Sequence, residues 1–551
     1  MAWHVRNEPN AARYRAEGSW LGRTIADDAR DWANRLGNEQ VFLGEPAPVT
    51  YAGLLADAMA LGVALRRLGV RPGEVISFMI PNWTEAAVIN LAAAIMGYVI
   101  NPIVPIYREK ETGFILRNCR SRVIFVPTAF RQFDYAEMLD TMRAELPDLT
   151  HVVTVRGLSH GAIDYTDLVQ SGRGVAMDTP AVDPGNIKLV IYTSGTTGSP
   201  KAVLHSHETL ARAVAASALH WAIAPGDVVL MPSPVTHISG YSNGLERPFL
   251  GGTRTVLMES WNADEAVNLI DRHTASMTVA ATPFLQELVT AAARKSSRLE
   301  SFRVFACGGA AVPPEVIRQA NATFAHPCAF RVYGSSEAPF VTLGLSATDD
   351  PIIGSETDGR VVDYDVRLID ENGLDVEEGE IVVRGPGLFL GYGDAAQTNE
   401  SFLPDGFFMT GDIGRYVAGG LVITGRKKDI IIRGGENISA KEVEDALHCH
   451  PAIIEAAVVA APHARLGEGI FAFLVIQPES VLTLGDLGLF LGKLGLAKQK
   501  VPEGFEVVTA LPRTPSGKIR KDQLRVRIEL GRNHLQTQRF EASQNDTTKG
   551  F

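Results

Sequence analysis

Cysteine is scarce in this chain: four among 551 residues, at Cys119, Cys307, Cys328 and Cys449. They stand far apart and none forms a CxxC pair, which argues against a disulfide framework or a zinc site and fits a reducing cytosol. Long apolar runs are also missing. The longest, Ala86 to Ile100, carries Asn90. It falls short of the roughly 20 apolar residues that a bilayer span requires, so it reads as a buried helix. Positive charge is not in excess, since the formal net charge is -11. That disfavours nucleic acid or an anionic membrane as the main partner, although a local basic patch can still take a small anion. The first residues, MAWHVRNEPNAARYRAEG, lack the apolar core of a secretion signal. Internal repeats and low-complexity tracts are absent too. The expectation is a cytoplasmic globular protein, long enough for two or more domains.

What is present begins with an alternation of helix and strand. TYAGLLADAMALGVALRRLGV has apolar positions at helical spacing behind Thr50, a side chain suited to an N-cap. RPGEVISFMIPN, SRVIFVPT and THVVTVRG read as short buried strands, and TRTVLMES, ASMTVAAT and SFRVFACGG repeat the pattern. Strand–helix–strand order predicts stacked α/β sheets. Beyond Gly354 the alternation becomes strand-like, with an Asn372-Gly373 turn pair, and predicts a small antiparallel β subdomain at about 355–425. A second break at TGRKKDIIIRGGENISAKEVEDAL leads into a compact α+β unit, 426–530, followed by a polar tail, 531–551. The predicted fold class is α/β: a large N-terminal domain, 1–425, of stacked sheets plus the β subdomain, and a smaller α+β C-terminal domain.

One stretch stands apart chemically. IYTSGTTGSPK, Ile191 to Lys201, holds two glycines, five serine or threonine hydroxyls and a terminal lysine. It follows the strand NIKLVIY and precedes the helix HETLARAVAASALH. Glycines let backbone N–H groups approach a ligand, and a lysine supplies a compact charge suited to phosphate. A flexible surface loop is the plainer alternative. A Walker A cradle requires G-x-x-x-x-G-K-[ST], and the spacing of Gly195, Gly198 and Lys201 does not supply it.

With YTSGTTGSPK on the page, further segments follow in order: YGSSE (Tyr333 to Glu337), TGD (Thr410 to Asp412), GRKKDIIIRGGENIS (Gly425 to Ser439) and PRTPSGKIRK (Pro512 to Lys521). Together they resemble the adenylate-forming enzymes: acyl-CoA synthetases, aryl-CoA ligases, luciferases and peptide-synthetase adenylation domains. One departure is Ala202, where the family usually carries glycine. The resemblance implies two steps. A carboxylate attacks the α-phosphate of ATP, giving an acyl-adenylate and pyrophosphate; a thiol, coenzyme A in the leading reading, then displaces AMP. Because an anion must approach a polyanion, such a site requires cations and N–H donors where charge builds up.

The same resemblance assigns roles. Thr193, Ser194, Gly195, Thr196, Thr197, Gly198 and Lys201 would hold phosphate, with Tyr333, Gly334, Ser335 and Ser336. Gly309, Ala310 and Ala311 would form the adenine shelf, though tight strand–helix packing explains GGAA nearly as well. Glu337 would ligate Mg²⁺. Asp412 would accept the ribose hydroxyls, with Arg426 on ribose and phosphate. Lys518 would neutralise the reacting carboxylate and α-phosphate, ahead of its neighbours Arg520 and Lys521. Lys428 would be the hinge of a mobile C-terminal domain, and Gly434 and Gly435 would line the thiol tunnel; a simple turn is the competing reading for the glycines.

PSPVTHISG resembles the segment that lines the acyl pocket, with His237 as its gate; a satisfied structural histidine is the rival. Tyr241, Thr282, Phe284, Pro339 and Phe340 are the other candidate walls. Their apolar character, and the lack of an aspartate for a substrate ammonium, point to a hydrophobic acid: medium-chain, alicyclic or aromatic. General texture also resembles cyclohexanecarboxylate-CoA ligases. The chain stops about 30 residues after Lys518, so the expected acceptor is external: coenzyme A, or alternatively a carrier protein. A homodimer is possible. A nucleotide sensor without catalysis is the rival from another class, and the intact Lys201, Glu337, Asp412 and Lys518 argue against it.

Overall fold

Thr50 accepts a hydrogen bond from the Gly53 N–H at 3.1 Å and starts the helix Tyr51–Arg67, as its N-cap chemistry predicts. The computed structural model describes residues 3, 5–6, 8–44, 48–193, 200–310, 312–345, 351–463, 465–514 and 517–530. The apolar run at 86–100 is a core helix, Thr84–Met96, with every residue from Ala86 onward buried, followed by the strand Val99–Pro102. Among the described residues no helix is long and apolar enough to cross a membrane.

The chain divides into two units. The first takes Met1–Arg367, Val382–Thr410 and Val417–Leu421; the second takes Leu368–Ile381, Gly411–Tyr416 and Val422–Phe551. The first unit holds two large sheets. One has eight strands in the order Gly391–Tyr392, Lys201–Ser206, Ile187–Thr193, Val99–Pro102, Val75–Phe78, Val123–Pro127, His151–Val155 and Ile163–Asp164. Val75–Phe78 pairs in parallel with Val99–Pro102 and Val123–Pro127, and Val123–Pro127 with His151–Val155, each reached through a helical connection, whereas Lys201–Ser206 is antiparallel to both neighbours. The other has seven strands: Ala329–Arg331, Val304–Cys307, Met277–Ala280, Val228–Met231, Arg254–Leu257, Gln40–Leu43 and Val49–Thr50. Alternate residues feed opposite faces of this second sheet. Val228, Leu230, Phe305 and Cys307 enter one core; Val229, Met231, Val279 and Ala306 enter another.

A four-stranded sheet of Asp365–Ile369, Glu378–Arg384, Phe408–Val417 and Gly420–Arg426 occupies the predicted β region, and the division of the chain passes through its strands. The second unit has its own five-stranded sheet. It is built on the long hairpin Ile453–His463 and Gly467–Ile476, with Ile430–Arg433, Glu436–Ser439 and Gly504–Val507. The helices Ala440–His448 and Leu484–Lys493 pack on it through Val443, Leu447, Leu487 and Leu491.

Candidate active site

The strands Ile187–Thr193 and Lys201–Ser206 form an antiparallel pair that sets Thr193 opposite Lys201 and Tyr192 opposite Ala202. The sequence reading runs from strand directly into helix; the structure interposes a strand. The reason lies in what KAVLHS pairs with. Val203, Leu204 and His205 are buried on both faces, and the segment pairs on one side with Ile187–Thr193 and on the other with Gly391–Tyr392. The helix His207–His220 begins only after Ser206, whose hydroxyl accepts from the Thr209 N–H at 3.2 Å. Ala202, where the family carries glycine, is an ordinary buried strand residue. Of the phosphate-loop residues, Thr193 and Lys201 are described; Ser194, Gly195, Thr196, Thr197 and Gly198 lie outside the described residues, as does Ala311.

Lys201 and Glu337 are brought to one side chain. The Lys201 ammonium sits 4.6 Å from the centroid of the Tyr392 ring. The Tyr392 hydroxyl donates to Glu337 Oε1 at 2.8 Å. Register explains the first contact: Tyr392 faces Val203, which places it diagonally across from Lys201 on the same sheet face. Tyr392 is 4% exposed, and burial together with the Glu337 charge pushes its phenol well above the usual range.

YGSSE forms a tight, non-helical loop. The Tyr333 N–H donates to Thr342 Oγ1 at 2.8 Å, and the Ala338 N–H donates to Ser335 Oγ at 3.1 Å. Gly334 has no room for a side chain, since a Cβ there would stand 2.6 Å from the Phe340 nitrogen. His205 ties this loop to the hairpin. Its Nε2 lies 2.7 Å from the Ser336 carbonyl oxygen, and its Nδ1 lies 3.0 Å from Thr209 Oγ1. A carbonyl only accepts, so Nε2 carries the proton and Nδ1 accepts from the Thr209 hydroxyl. Burial lowers the imidazole to about 4, which keeps that tautomer neutral. Gly309 follows the strand Val304–Cys307 at φ 80, beside Ala310.

The candidate pocket walls fall in different surroundings. His237 is half-buried at the start of a helical run that becomes π-helical over Tyr241–Glu246. Tyr241 is fully buried and donates to Asn90 Oδ1 at 2.5 Å; Asn90 donates in turn to Glu246 Oε1 at 2.7 Å, and Lys188 ion-pairs with the other Glu246 oxygen. Burial pulls the Lys188 ammonium down despite that partner. Thr282, also buried, opens the helix Thr282–Lys295. Phe284 stacks edge-on against Trp261 at 4.9 Å, and Phe340 against Trp221 at 5.5 Å, on opposite faces of the seven-stranded sheet. The Pro339 carbonyl accepts from the Tyr364 hydroxyl at 3.0 Å.

In the second unit, Asp412 is 5% exposed and ion-pairs with Arg426 Nε at 2.8 Å. Lys428 lies in the short 3-10 turn after Arg426. Gly434 and Gly435 connect Ile430–Arg433 to Glu436–Ser439 as a two-residue hairpin, with φ 61 and 91. Positive φ at both central residues is what a type I′ turn demands, so this is a hairpin rather than a strand-to-helix turn. Lys518 is tied to Thr514: its N–H donates to Thr514 Oγ1 at 3.1 Å, and its carbonyl accepts from the Thr514 N–H at 2.7 Å. The other cations of that run are held by carboxylates, Arg513 by Glu455, Arg520 by Asp522 and Lys521 by the buried Glu444.

His205 and Tyr392 are the residues that sequence reading passed over. For the first, the apolar run Ala202 to Leu204 marked a buried segment but not the histidine's role. For Tyr392, the GYGD turn marked only a strand end.

Residues 29–393 match the family model described as AMP-binding enzyme, and residues 442–518 match that of the AMP-binding enzyme C-terminal domain. The medium-chain fatty-acid–CoA ligase of Escherichia coli (strain K12) is 34% identical over 530 residues, 94% of this chain and 93% of its own. The salicyl-AMP ligase / salicyl-S-ArCP synthetase of Mycobacterium tuberculosis is 33% identical over 96% of this chain and 95% of its own. The crystal structure of ATP-bound MatB from Rhodopseudomonas palustris superimposes with a TM-score of 0.81 at 25% identity, covering 91% of this chain and 98% of that one.

Proposed function

Because the chain belongs to the AMP-binding enzyme family, we propose that it is an ATP-dependent acid–CoA ligase for a hydrophobic carboxylic acid. The observation that carries the chemistry is the meeting of Lys201, a phosphate-type cation, with Glu337, a metal-type carboxylate, on the Tyr392 side chain. In the first half-reaction a carboxylate oxygen of the acid attacks the α-phosphorus of ATP and the bond to pyrophosphate breaks. Lys201, the loop hydroxyls and the YGSSE backbone hold the phosphates. Asp412 accepts the ribose hydroxyls, oriented by its ion pair with Arg426. Lys518 neutralises the approaching anions. In the second half-reaction the thiol sulfur attacks the acyl carbon, the bond to AMP breaks and the thiol proton passes to solvent. The proposal divides the chain into a domain at 1–425 and a mobile domain at 426–530, hinged at Lys428, with Gly434 and Gly435 passing the pantetheine arm.

Glu337 also fits a divalent ion that arrives with nucleotide. Mg²⁺ takes one or two protein carboxylates and completes its shell with phosphate oxygens and water. Glu337 is one half-buried carboxylate with an oxygen already oriented by Tyr392, and no group of three ligating side chains occurs among the described residues. When bound, the ion neutralises phosphate charge; Glu337 holds it, and Tyr392 orients Glu337.

His237, Tyr241, Thr282, Phe284, Pro339 and Phe340 are the candidate walls for a medium-chain, alicyclic or aromatic acid, but Phe284 and Phe340 lie on opposite faces of the seven-stranded sheet, so one pocket takes at most one of the two. The fatty acid in the name of the Escherichia coli relative supports the first class. An external carrier protein is the second acceptor reading, favoured by the relative named for an ArCP product. A cytoplasmic homodimer completes the proposal. Incubation with ATP, CoA and a panel of medium-chain, cyclohexane and benzoic acids is expected to yield AMP, pyrophosphate and thioester. ADP in place of AMP would overturn the reading, and pyrophosphate exchange without CoA turnover would favour the carrier.

A further inference from the structure

Tyr392 lies outside the motifs quoted above, yet it touches both Lys201 and Glu337 in the first unit. Its hydroxyl donates to Glu337 Oε1 at 2.8 Å, and its ring face covers the Lys201 ammonium at 4.6 Å. The residues just before its strand hold Glu337 a second way, because the Phe389 N–H donates to the Glu337 carbonyl at 2.8 Å. The strand is itself fixed to the hairpin: the Leu390 N–H donates to the Leu204 carbonyl and the Gly393 N–H to the Ala202 carbonyl, each at 2.8 Å. Phe389 packs edge-on against Tyr392 at 5.0 Å, which leaves the phenol little freedom to swing.

A lysine and a glutamate that share a neighbour have an obvious alternative: pairing with each other. Among the described residues Lys201 makes no ion pair; its charge rests on the aromatic face. We infer that Tyr392 is a positioning residue that keeps Lys201 and Glu337 apart, with the ammonium poised for phosphate and the carboxylate fixed in orientation for a divalent ion. The ring is a weak, non-competing partner for the cation. The hydroxyl takes one carboxylate oxygen and leaves the other to a metal. A direct Lys201–Glu337 pair would cancel both charges before nucleotide arrived. This inference rests on the ATP-site reading above.

Outer partners of ligating carboxylates typically change metal affinity by about 10–100-fold when removed. Tyr392→Phe, which keeps the ring and loses the hydroxyl, is therefore expected to raise the Mg²⁺ concentration for half-maximal adenylation about tenfold or more. Binding of metal-free ATP should stay near that of the unmodified protein. Tyr392→Leu, which also loses the ring, should weaken metal-free ATP binding as well. Both are measured by calorimetric titration of ATP with and without metal, and by Mn²⁺ paramagnetic resonance of the ATP complex, with thermal melts to establish folding. A purely structural role would lower stability and turnover at every Mg²⁺ concentration without moving the metal midpoint. Folded variants with unchanged metal and ATP titrations overturn the inference. Lys201→Ala and Glu337→Gln separate the two levels. If they also leave ATP and metal binding unchanged, the ATP-site reading falls; if they impair binding and the Tyr392 variants do not, only the role of Tyr392 falls.

Discussion

His205 links the hairpin to the YGSSE loop through a proton that it must keep on Nε2. Burial holds its folded-state pKa at about 4, below the 6.5 of an unperturbed imidazole. Between those values the unfolded chain takes up a proton that the folded chain refuses. The stability contributed by this neutral histidine is therefore complete above pH 6.5 and drains away as pH falls toward 4, over a range of about 3 kcal/mol. His207, also buried and lowered well below its ordinary value, acts in the same direction. Urea unfolding of the unmodified protein is expected to weaken from pH 7 to pH 4.5, and His205→Gln, which keeps a donor, to flatten that slope. Equal slopes in the two proteins would contradict the assignment. None of this was legible in the sequence, because a buried histidine and a catalytic one look alike there. The same holds for Tyr392: its partners Lys201 and Glu337 are near in space only because strands distant along the chain pair.

At the scale of elements, the sequence displayed its strands and helices through burial and caps. Thr50, predicted as an N-cap, is one; Ala86 to Met96, predicted as a buried helix, is entirely buried. The strand Lys201–Ser206 was hidden for a physical reason. It follows a glycine-rich stretch of sequence and owes its conformation to the partners on either side rather than to its own propensity. For Gly434-Gly435 the sequence offered a ligand path and a simple turn, and the structure gives a two-residue hairpin turn, which leaves the ligand path untested. Gly435 at φ 91 has open space around it, so an alanine there is strained by backbone geometry alone. Gly435→Ala is expected to lower stability by about 1–2 kcal/mol, with thioester formation slowed more than adenylation. Thermal melts and the two half-reactions, assayed separately, check this. An unchanged melting temperature would argue against the turn as described.

For the whole molecule, the α/β class and the smaller α+β unit were legible because each depends on patterns repeated over many residues. By compactness, 368–381 and 411–416 group with the second unit although they precede it in sequence. The proposed cycle uses Lys518 in one half-reaction only. Lys518→Ala is expected to cost adenylation roughly 3–4 kcal/mol of barrier, a fall of about 10²–10³-fold. Thioester formation from supplied acyl-adenylate should persist. Loss of both activities in a folded variant would contradict a two-stage use of this lysine.

The antiparallel hairpin has an electrostatic corollary. A loop that opens directly into a helix offers phosphate the macrodipole of that helix, about half a positive charge fixed in the backbone. Here a full strand intervenes between Lys201 and the helix starting at His207. At the proposed site the helix starting at His207 therefore lends the triphosphate no macrodipole at the loop, and the grip falls to side chains such as the Lys201 ammonium, to backbone donors and to ions the nucleotide brings with it. Added salt should screen such a grip more readily than it would a buried helix end.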